Sequence, residues 1–255
     1  MVIQQRVKMP RLGTRKLYHL LKDELQQLDV GRDKLFSILK ANHMLILPKR
    51  TYYKTTNSHH RFRKHKNIVE HMPIIKPEQV WVADITYVGN RNNPMYLALV
   101  TDAYSKKIMG YNVSNTLATT SSLKALKMAV NNRDYQNNEL IHHSDRGLQY
   151  CSNDYQKQLM RKGIRCSMTE SYDPYQNAVA ERVNGILKQE FLINTENINV
   201  KLMNTLIKQS IAIYNQKRPH WSCDMLTPNQ MHKQNQVKIK TYKNKKSRDL
   251  QVSGF

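Results

Sequence analysis

Two aspartates and a glutamate stand in local phrases that could carry chemistry: Asp84 in WVADITYVG, Asp145 in LIHHSDRGLQY and Glu181 in PYQNAVAERVNGILKQEF. Thirty-five residues separate Asp145 from Glu181, a spacing that by itself says little in a chain with 19 acidic residues. The surrounding phrases say more. Three carboxylates gathered from distant segments would repel and raise one another's pKa values unless a cation joined them. Magnesium suits such a hard oxygen set and keeps waters free for exchange with phosphate oxygens. Two ions held by three carboxylates suit an in-line displacement at phosphorus.

Each acid needs an element to position it. Asp84 falls in the middle of a predicted strand, among Trp81, Val82, Ile85 and Val88, where a charge is costly unless ligated or paired. The alternation of VADIT also permits Asp84 to face solvent. Asp145 follows LIHHS at the carboxyl end of a strand, the edge where α/β sheets gather ligands, although Asp before Arg146 and Gly147 is also an ordinary turn former. For Glu181 the spacing predicts a helix with Val179, Val183, Ile186 and Leu187 as its apolar face. Asn177, Asn184 and Lys188 fall on the opposite face with Glu181. That face reads either as a metal ligand with a nearby phosphate contact or as a solvated surface.

Around these positions the pattern is mixed α/β. QVWVADITYV, PMYLALVTDAY and KKIMGYNVS, separated by GNRNN and SKK, read as an antiparallel meander. TTSSLKALKMAVNN reads as a helix with Thr and Ser caps, LIHHSD as a strand, SNDYQKQLMRKG as a helix, IRCSMT as a strand and NAVAERVNGILKQEFL as a helix. Helical NVKLMNTLIKQSIAIYNQKR follows. Ahead of this core, Leu17, Leu20, Leu21 and Leu25 make one helical stripe, and Leu35, Phe36 and Leu39 a second helix from about Arg32 to Asn42. Arg15, Lys16, Lys22, Arg32 and Lys34 lie outside that pair. It reads as a DNA-binding unit or as a helical hairpin packed on the core.

Charge divides the chain in the same way. Lys and Arg number 41 against 19 Asp and Glu, a net +22 that suits a polyanionic partner. Residues 1–77 carry 17 basic and 5 acidic side chains, residues 78–232 carry 17 and 13, and residues 233–255 carry 7 and 1. A nearly balanced core is thus flanked by basic arms. The expected organisation is a helical, helix-turn-helix-like unit at 1–47, a basic linker at 48–77, a catalytic core at 78–195, a helical extension at 196–232 and a basic tail at 233–255. No apolar run is long enough to span a bilayer and the first residues lack a signal-peptide stretch, so a soluble, cytoplasmic protein without a membrane partner is expected. Cys151, Cys166 and Cys223 are odd in number and widely spaced, which suggests neither a disulfide framework nor a zinc site. His142 and His143 read as packing or hydrogen-bonding residues, Asp102 as a strand-to-turn residue, and Trp81 and Trp221 as core or domain contacts. Tyr172, Tyr175 and Gln176 could touch DNA or merely order a loop.

The phrases around Asp84, Asp145 and Glu181 resemble the catalytic core of DDE transposases and retroviral-type integrases. They are most similar to the second-frame product of the insertion-sequence-three family of bacterial elements. RLGTRKLYHLL and VGRDKLFSIL resemble that family's basic helical region, TTNSHHRFRKHKN its connector and YNQKRPHWSCDMLTPNQMH its closing signature. The resemblance implies a ribonuclease H-like fold, β-β-β-α-β-α-β-α, and magnesium-dependent DNA cleavage and strand transfer of an insertion sequence. It implies that Asp84, Asp145 and Glu181 hold two Mg2+ ions, for which Mn2+ can substitute, with Asp84 bridging. Lys188, Asn184, Asn177, Arg15, Lys16, Arg32 and Lys34 are the expected DNA contacts. Its expected partners are double-stranded DNA at element ends and target, other copies of the chain on that DNA, and an upstream-frame helix-turn-helix protein, separate or fused by frameshifting. A nucleoid-associated bacterial setting goes with these. Family members often carry an acidic residue where this chain has Gln176, which puts one contact near the site in doubt. The alternatives in other classes are a ribonuclease H-like nuclease that does not join strands and an inactive DNA-binding relic.

Overall fold

The computed structural model describes residues 1–47, 65–89, 94–169, 178–193 and 198–240. At its centre is a five-stranded sheet in the order β3-β2-β1-β4-β5. β1 (Val80–Gly89), β2 (Pro94–Asp102) and β3 (Ile108–Ser114) form the expected antiparallel meander. β4 (Ile141–Ser144) and β5 (Arg165–Met168) add to it in parallel. The β1–β2 connection at 90–93 lies outside the described residues. The β2–β3 turn is tied down by Asp102, whose carboxylate accepts the Glu78 N–H at 2.7 Å and both the N–H and the hydroxyl of Ser105 at 2.7 Å. Asp102 is therefore a buried turn anchor.

The strands alternate, and each face of the sheet has its own core. Trp81, Ala83 and Ile85 pack on one side with α5 (Thr119–Asn131), α6 (Leu148–Cys151) and α7 (Asn153–Arg161). Helix α5 lies so close to β3 that a Cβ on Gly110 would come within 2.1 Å of the Ala125 carbonyl oxygen; only glycine fits there. The N-cap of α5 is Ala118, not one of the expected Thr or Ser residues, because the helix starts at Thr119 and buries Ser121 and Ser122 inside its first turn. By contrast α7 is capped by Ser152, which accepts the Tyr155 N–H.

The other face carries α8 (Ala178–Glu190) and α9 (Val200–Lys217). Val183, Ile186 and Leu187 meet Val88, Leu97 and Leu99 there, joined by Met203, Ile207, Ile211 and Tyr214 of α9. Each such side chain contributes about 1.5–3 kcal/mol on burial. The N-terminal unit adds its leucines to this same core. It has four short helices, α1 (Val2–Lys8), α2 (Thr14–Leu20), α3 (Lys22–Gln27) and α4 (Arg32–Ala41). The stripe of Leu17, Leu21 and Leu25 is buried as expected, but the backbone leaves helical geometry at Leu21 and divides it into α2 and α3. Helix α1 carries no buried residue, so no apolar stripe announced it.

The closing segment is a clamp. The Tyr214 hydroxyl donates to the Lys106 carbonyl at 2.9 Å, and the Asn215 side chain pairs with both backbone groups of Ile108 at 3.0 Å. After a 3-10 turn at Trp221–Cys223, α10 (Pro228–His232) starts from a capping box between Thr227 and Gln230. It delivers His232 into a buried group with Glu78 and Ser105, with the exposed Asp134 at its rim. Trp81 is fully buried, whereas Trp221, at the surface turn, remains 39% exposed. No helix among the described residues is long and apolar enough to cross a membrane.

Candidate active site

Parallel pairing of β1 with β4 builds the centre of the site. The register runs Val80 with Ile141, Trp81 with His142, Val82 with His143 and Ala83 with Ser144. Asp84 and Asp145 are the next residues of the two neighbouring chains, on strands that lie about 4.8 Å apart. The pair therefore sits where β4 ends and β1 continues. Below it His142 and His143 are fully buried, as expected of packing residues. Tyr155 meets His142 Nε2 at 2.8 Å and Ser167 meets His143 Nδ1 at 2.9 Å. Burial, then the neighbouring His143, holds His142 down to about 3, so it is a neutral ring at physiological pH.

Asp145 is shaped by the turn that follows it. The Gly147 N–H donates to its Oδ1 at 3.0 Å, and a Cβ on Gly147 would lie 2.9 Å from that oxygen. Glycine lets the backbone approach the carboxylate. Asp84 is half-buried, and its Oδ1 accepts the N–H of Ile85 at 2.8 Å while its Oδ2 accepts the Asn184 amide at 2.6 Å. Burial, then the charge of Asp145, pushes its pKa up to about 7, with Glu181 adding to the rise. The two hydrogen bonds, which favour the charged form, only partly offset this.

Helix α8 runs beside β1 so that two of its residues match two of the strand. Asn184 reaches Asp84, and Lys188 donates to the Thr86 hydroxyl at 2.9 Å. Four residues of helix rise about 6 Å and two residues of strand about 6.6 Å, so the steps agree. Asn184 was expected on an exposed face with Lys188 as a DNA contact. It is instead 3% exposed and turned into the sheet, because the helix packs on β1 through more of its circumference than the four apolar residues indicated. Lys188 is half-buried, and burial lowers its pKa.

Glu181 stands in the first turn of α8, exposed, with its pKa raised by partial burial. A groove of about 340 Å³ lined by Glu181, Arg182, Gly185 and Gln189 opens beside it. The structure thus sets Asp84 and Asp145 side by side with Glu181 on the adjoining helix. The three do not form a closed set: among the described residues, the group of His, Cys, Asp and Glu ligand atoms within 4.8 Å of one another is Glu78, Asp134 and His232. That group already has its counter-charges, Arg133 on Glu78 at 3.1 Å and Lys107 on Asp134 at 2.9 Å. A half-buried carboxylate poised near 7 beside two further hard oxygen donors fits a divalent cation.

The remaining expected contacts spread over two places. Arg15, Arg32 and Lys34 are exposed, and Arg15, Lys16 and Arg32 line one groove of about 660 Å³ with Phe36 and Leu47. Arg32 also pairs with Asp33 at 2.8 Å. Lys16 is only half-exposed and turns to Glu190 of α8 at 3.5 Å. Burial and the adjacent Arg218 guanidinium lower it to about 8. Asn177, Tyr172, Tyr175 and Gln176 lie outside the described residues, as does the part of the basic linker from 48 to 64. Asn184 was expected as a DNA contact; its place one turn after Glu181 is the signal that could have set it beside Asp84 instead.

Two integrase core domain models match the chain, over residues 75–174 and 162–228. An insertion element IS600 31 kDa protein of Shigella sonnei is 34% identical over 228 residues, covering 87% of this chain and 84% of that protein. Transposase InsF for insertion sequence IS3A of Escherichia coli is 36% identical over 160 residues, 62% of this chain and 55% of its own length. A simian T-cell lymphotropic virus intasome, solved by cryo-electron microscopy in complex with PP2A regulatory subunit B56 gamma, has a chain of the same fold. It is 19% identical with a TM-score of 0.54, over 91% of this chain and 78% of that one. The ribonuclease H-like architecture expected from the order of strands and helices is the one found.

Proposed function

Because the chain belongs to the insertion-sequence-three family of DDE transposases, we propose that Asp84, Asp145 and Glu181 are its catalytic metal ligands for cutting and joining DNA. The observation that carries this reading is the strand register that sets Asp84 beside Asp145, with the Asp84 carboxyl pushed up to about 7 by burial and by its acidic neighbours. Two magnesium ions, or manganese in their place, would supply Lewis acidity at the scissile phosphate and lower the pKa of the attacking oxygen. Asp84, Asp145 and Glu181 would hold them, with Asp84 shared between the two.

The chain's own residues supply the rest. The Asn184 amide and the Ile85 N–H hold the Asp84 carboxylate in one orientation, and Gly147 does the same for Asp145. Lys188, anchored on Thr86, keeps a cation beside the site for a DNA phosphate. In the first step a water oxygen bonds to phosphorus at the element end and the bond to the 3′ oxygen breaks, leaving a 3′-hydroxyl. That hydroxyl oxygen then attacks a phosphodiester of the target, whose own 3′ oxygen departs. No covalent bond to the protein forms.

DNA is met elsewhere by charge. Arg15, Arg32 and Lys34 of the N-terminal unit, with the basic segments at 48–77 and 233–255, contribute phosphate contacts that give affinity without sequence preference. Accurate choice of element ends then calls for the upstream-frame helix-turn-helix protein, and paired ends call for several copies of the chain on DNA.

Isosteric variants test the site. Asp84→Asn, Asp145→Asn and Glu181→Gln each keep side-chain size and remove the charge, so each is expected to abolish cleavage and joining in magnesium while circular dichroism and DNA binding in chelator stay as in wild type. Near-wild-type product from any one of them removes that residue from the site.

A further inference from the structure

His232 is buried, yet both of its ring nitrogens face hydrogen-bond acceptors. On the Nδ1 side Ser105 Oγ stands at 2.9 Å. The one proton of that hydroxyl is already committed, because it goes to Asp102 Oδ1 at 2.7 Å, while the Lys107 N–H donates to the oxygen at 3.2 Å. Ser105 can therefore only accept from Nδ1. On the Nε2 side Glu78 Oε1 lies at 3.3 Å and Asp134 Oδ2 at 3.5 Å. Glu78 is held as a carboxylate by the Asp134 N–H at 2.8 Å, Arg133 Nε at 3.1 Å and the Tyr135 N–H at 3.3 Å. Each side thus requires an N–H from the ring, and only the imidazolium carries a proton on both nitrogens.

The charges around the ring balance only with that proton. Glu78, Asp102 and Asp134 face Arg133, Lys107 and His232, and Glu78 and Asp102 are fully buried. Burial works against a charged ring, but Asp102 and Glu78 outweigh it, with Lys107 opposing, so the pKa of His232 is raised. Tyr135 packs edge-on at 5.7 Å and gives its hydroxyl to the His232 carbonyl at 2.9 Å. Burial raises the pKa of that phenol, so it adds no charge near neutral pH. A neutral ring would leave three carboxylates facing two cations, and an unmatched buried charge is strongly destabilising.

The chain that follows this ring is basic, with 7 Lys and Arg against 1 acid in residues 233–255. Its first part lies on the core, where the Tyr104 hydroxyl donates to the Val237 carbonyl at 2.8 Å. We propose that His232 is a proton-operated latch: as the imidazolium it holds α10 against the β2–β3 turn, and on losing its proton it frees α10 and the basic segment behind it from the core. The latch stands apart from the metal-ligand reading, since it uses none of Asp84, Asp145 and Glu181. A released histidine loses its proton near 6.5 and the latched one above that value. The latch is therefore fully closed below about pH 6.5 and is lost as pH rises through the pKa of the latched ring.

Hydrogen exchange of the full chain between pH 6 and 9, corrected for the pH dependence of the intrinsic rate, measures the opening of α10. Protection there is expected to hold steady below about pH 6.5 and then to fall by up to about 10-fold per pH unit until the latched ring has titrated, while α7 stays unchanged. His232→Gln keeps a donor but no charge, and its α10 should be weakly protected at pH 6 with no such pH dependence. Nitrogen-15 NMR of histidine-labelled wild type reads the ring itself at pH 6.5, where an ordinary histidine is half neutral. Both nitrogens of His232 are expected to carry protons there. A ring as neutral as an ordinary histidine overturns the latch, and this reading stands even if the variant does not fold. Wild-type α10 protection that does not change with pH, or His232→Gln as well protected as wild type at pH 6, overturns it too and leaves a segment held by packing alone.

Discussion

Asp84 concentrates the tension of the site in one side chain. Folded, it keeps its proton to about 7, whereas an unfolded aspartate loses it near 3.9. Between those values the folded chain binds more protons than the unfolded one, so this residue makes stability fall as pH rises through that window. In the absence of divalent metal, Asp84→Asn is therefore expected to raise the Tm at pH 8, and the advantage should vanish below about pH 4, where both forms are neutral. Calorimetry in chelator at the two pH values checks this, and an equal or lower Tm at pH 8 would show that the surroundings do not penalise the charge. The places of Asp84 on β1, Asp145 after β4 and Glu181 on α8 were legible in the sequence because each sits in a phrase with a strand or helix pattern of its own. Asn184 was misplaced to the outer face for a physical reason. A helical projection assigns faces from apolar residues, and a polar residue buried to meet another polar residue leaves no mark in it.

At the scale of elements, the question is what keeps α8 in step with β1. Apolar packing supplies affinity, but sliding along the strand is resisted by polar pairs from the middle of the helix to its end. Asn184 at mid-helix and Lys188 in the last turn engage Asp84 and Thr86. At its end Glu190 receives both nitrogens of the Arg218 fork, at 2.8 and 2.7 Å, with Lys16 at 3.5 Å. Arg218 is 1% exposed, so the pair joins the closing segment, the catalytic helix and the N-terminal unit in one buried contact. Arg218→Met should leave Glu190 with only the longer Lys16 pair and cost up to about 3–5 kcal/mol. Denaturant unfolding measures it, and a loss under about 1 kcal/mol would mean the segment is held by packing alone. The order of strands could be read from period-2 runs and turn residues. The short helices could not: α1 buries nothing, and α6 is only four residues long, too short for a period to register. The closing signature could be noticed but not interpreted, since its work is done by pairs with residues 28 to 154 positions away.

Along the whole chain a stretch of nearly balanced charge at 78–232 lies between basic ones, a distribution that suits a polyanion without dictating its sequence. The N-terminal unit is packed into the same apolar core as α8 and α9, so it presents Arg15 and Arg32 from a fixed position relative to Asp84 and Asp145. A three-carboxylate site on this fold can hydrolyse DNA or can also join it, and the second activity is what a transposase requires. The most direct measurement is therefore a strand-joining assay with the full chain, labelled element-end duplexes and a target duplex in magnesium. The account predicts joined product that disappears with chelator and with Asp84→Asn. Cleaved ends without joined product, in reactions where the ends and any upstream-frame partner are present, would contradict it and leave a nuclease. No product of either kind under the same conditions would leave a protein that only binds DNA.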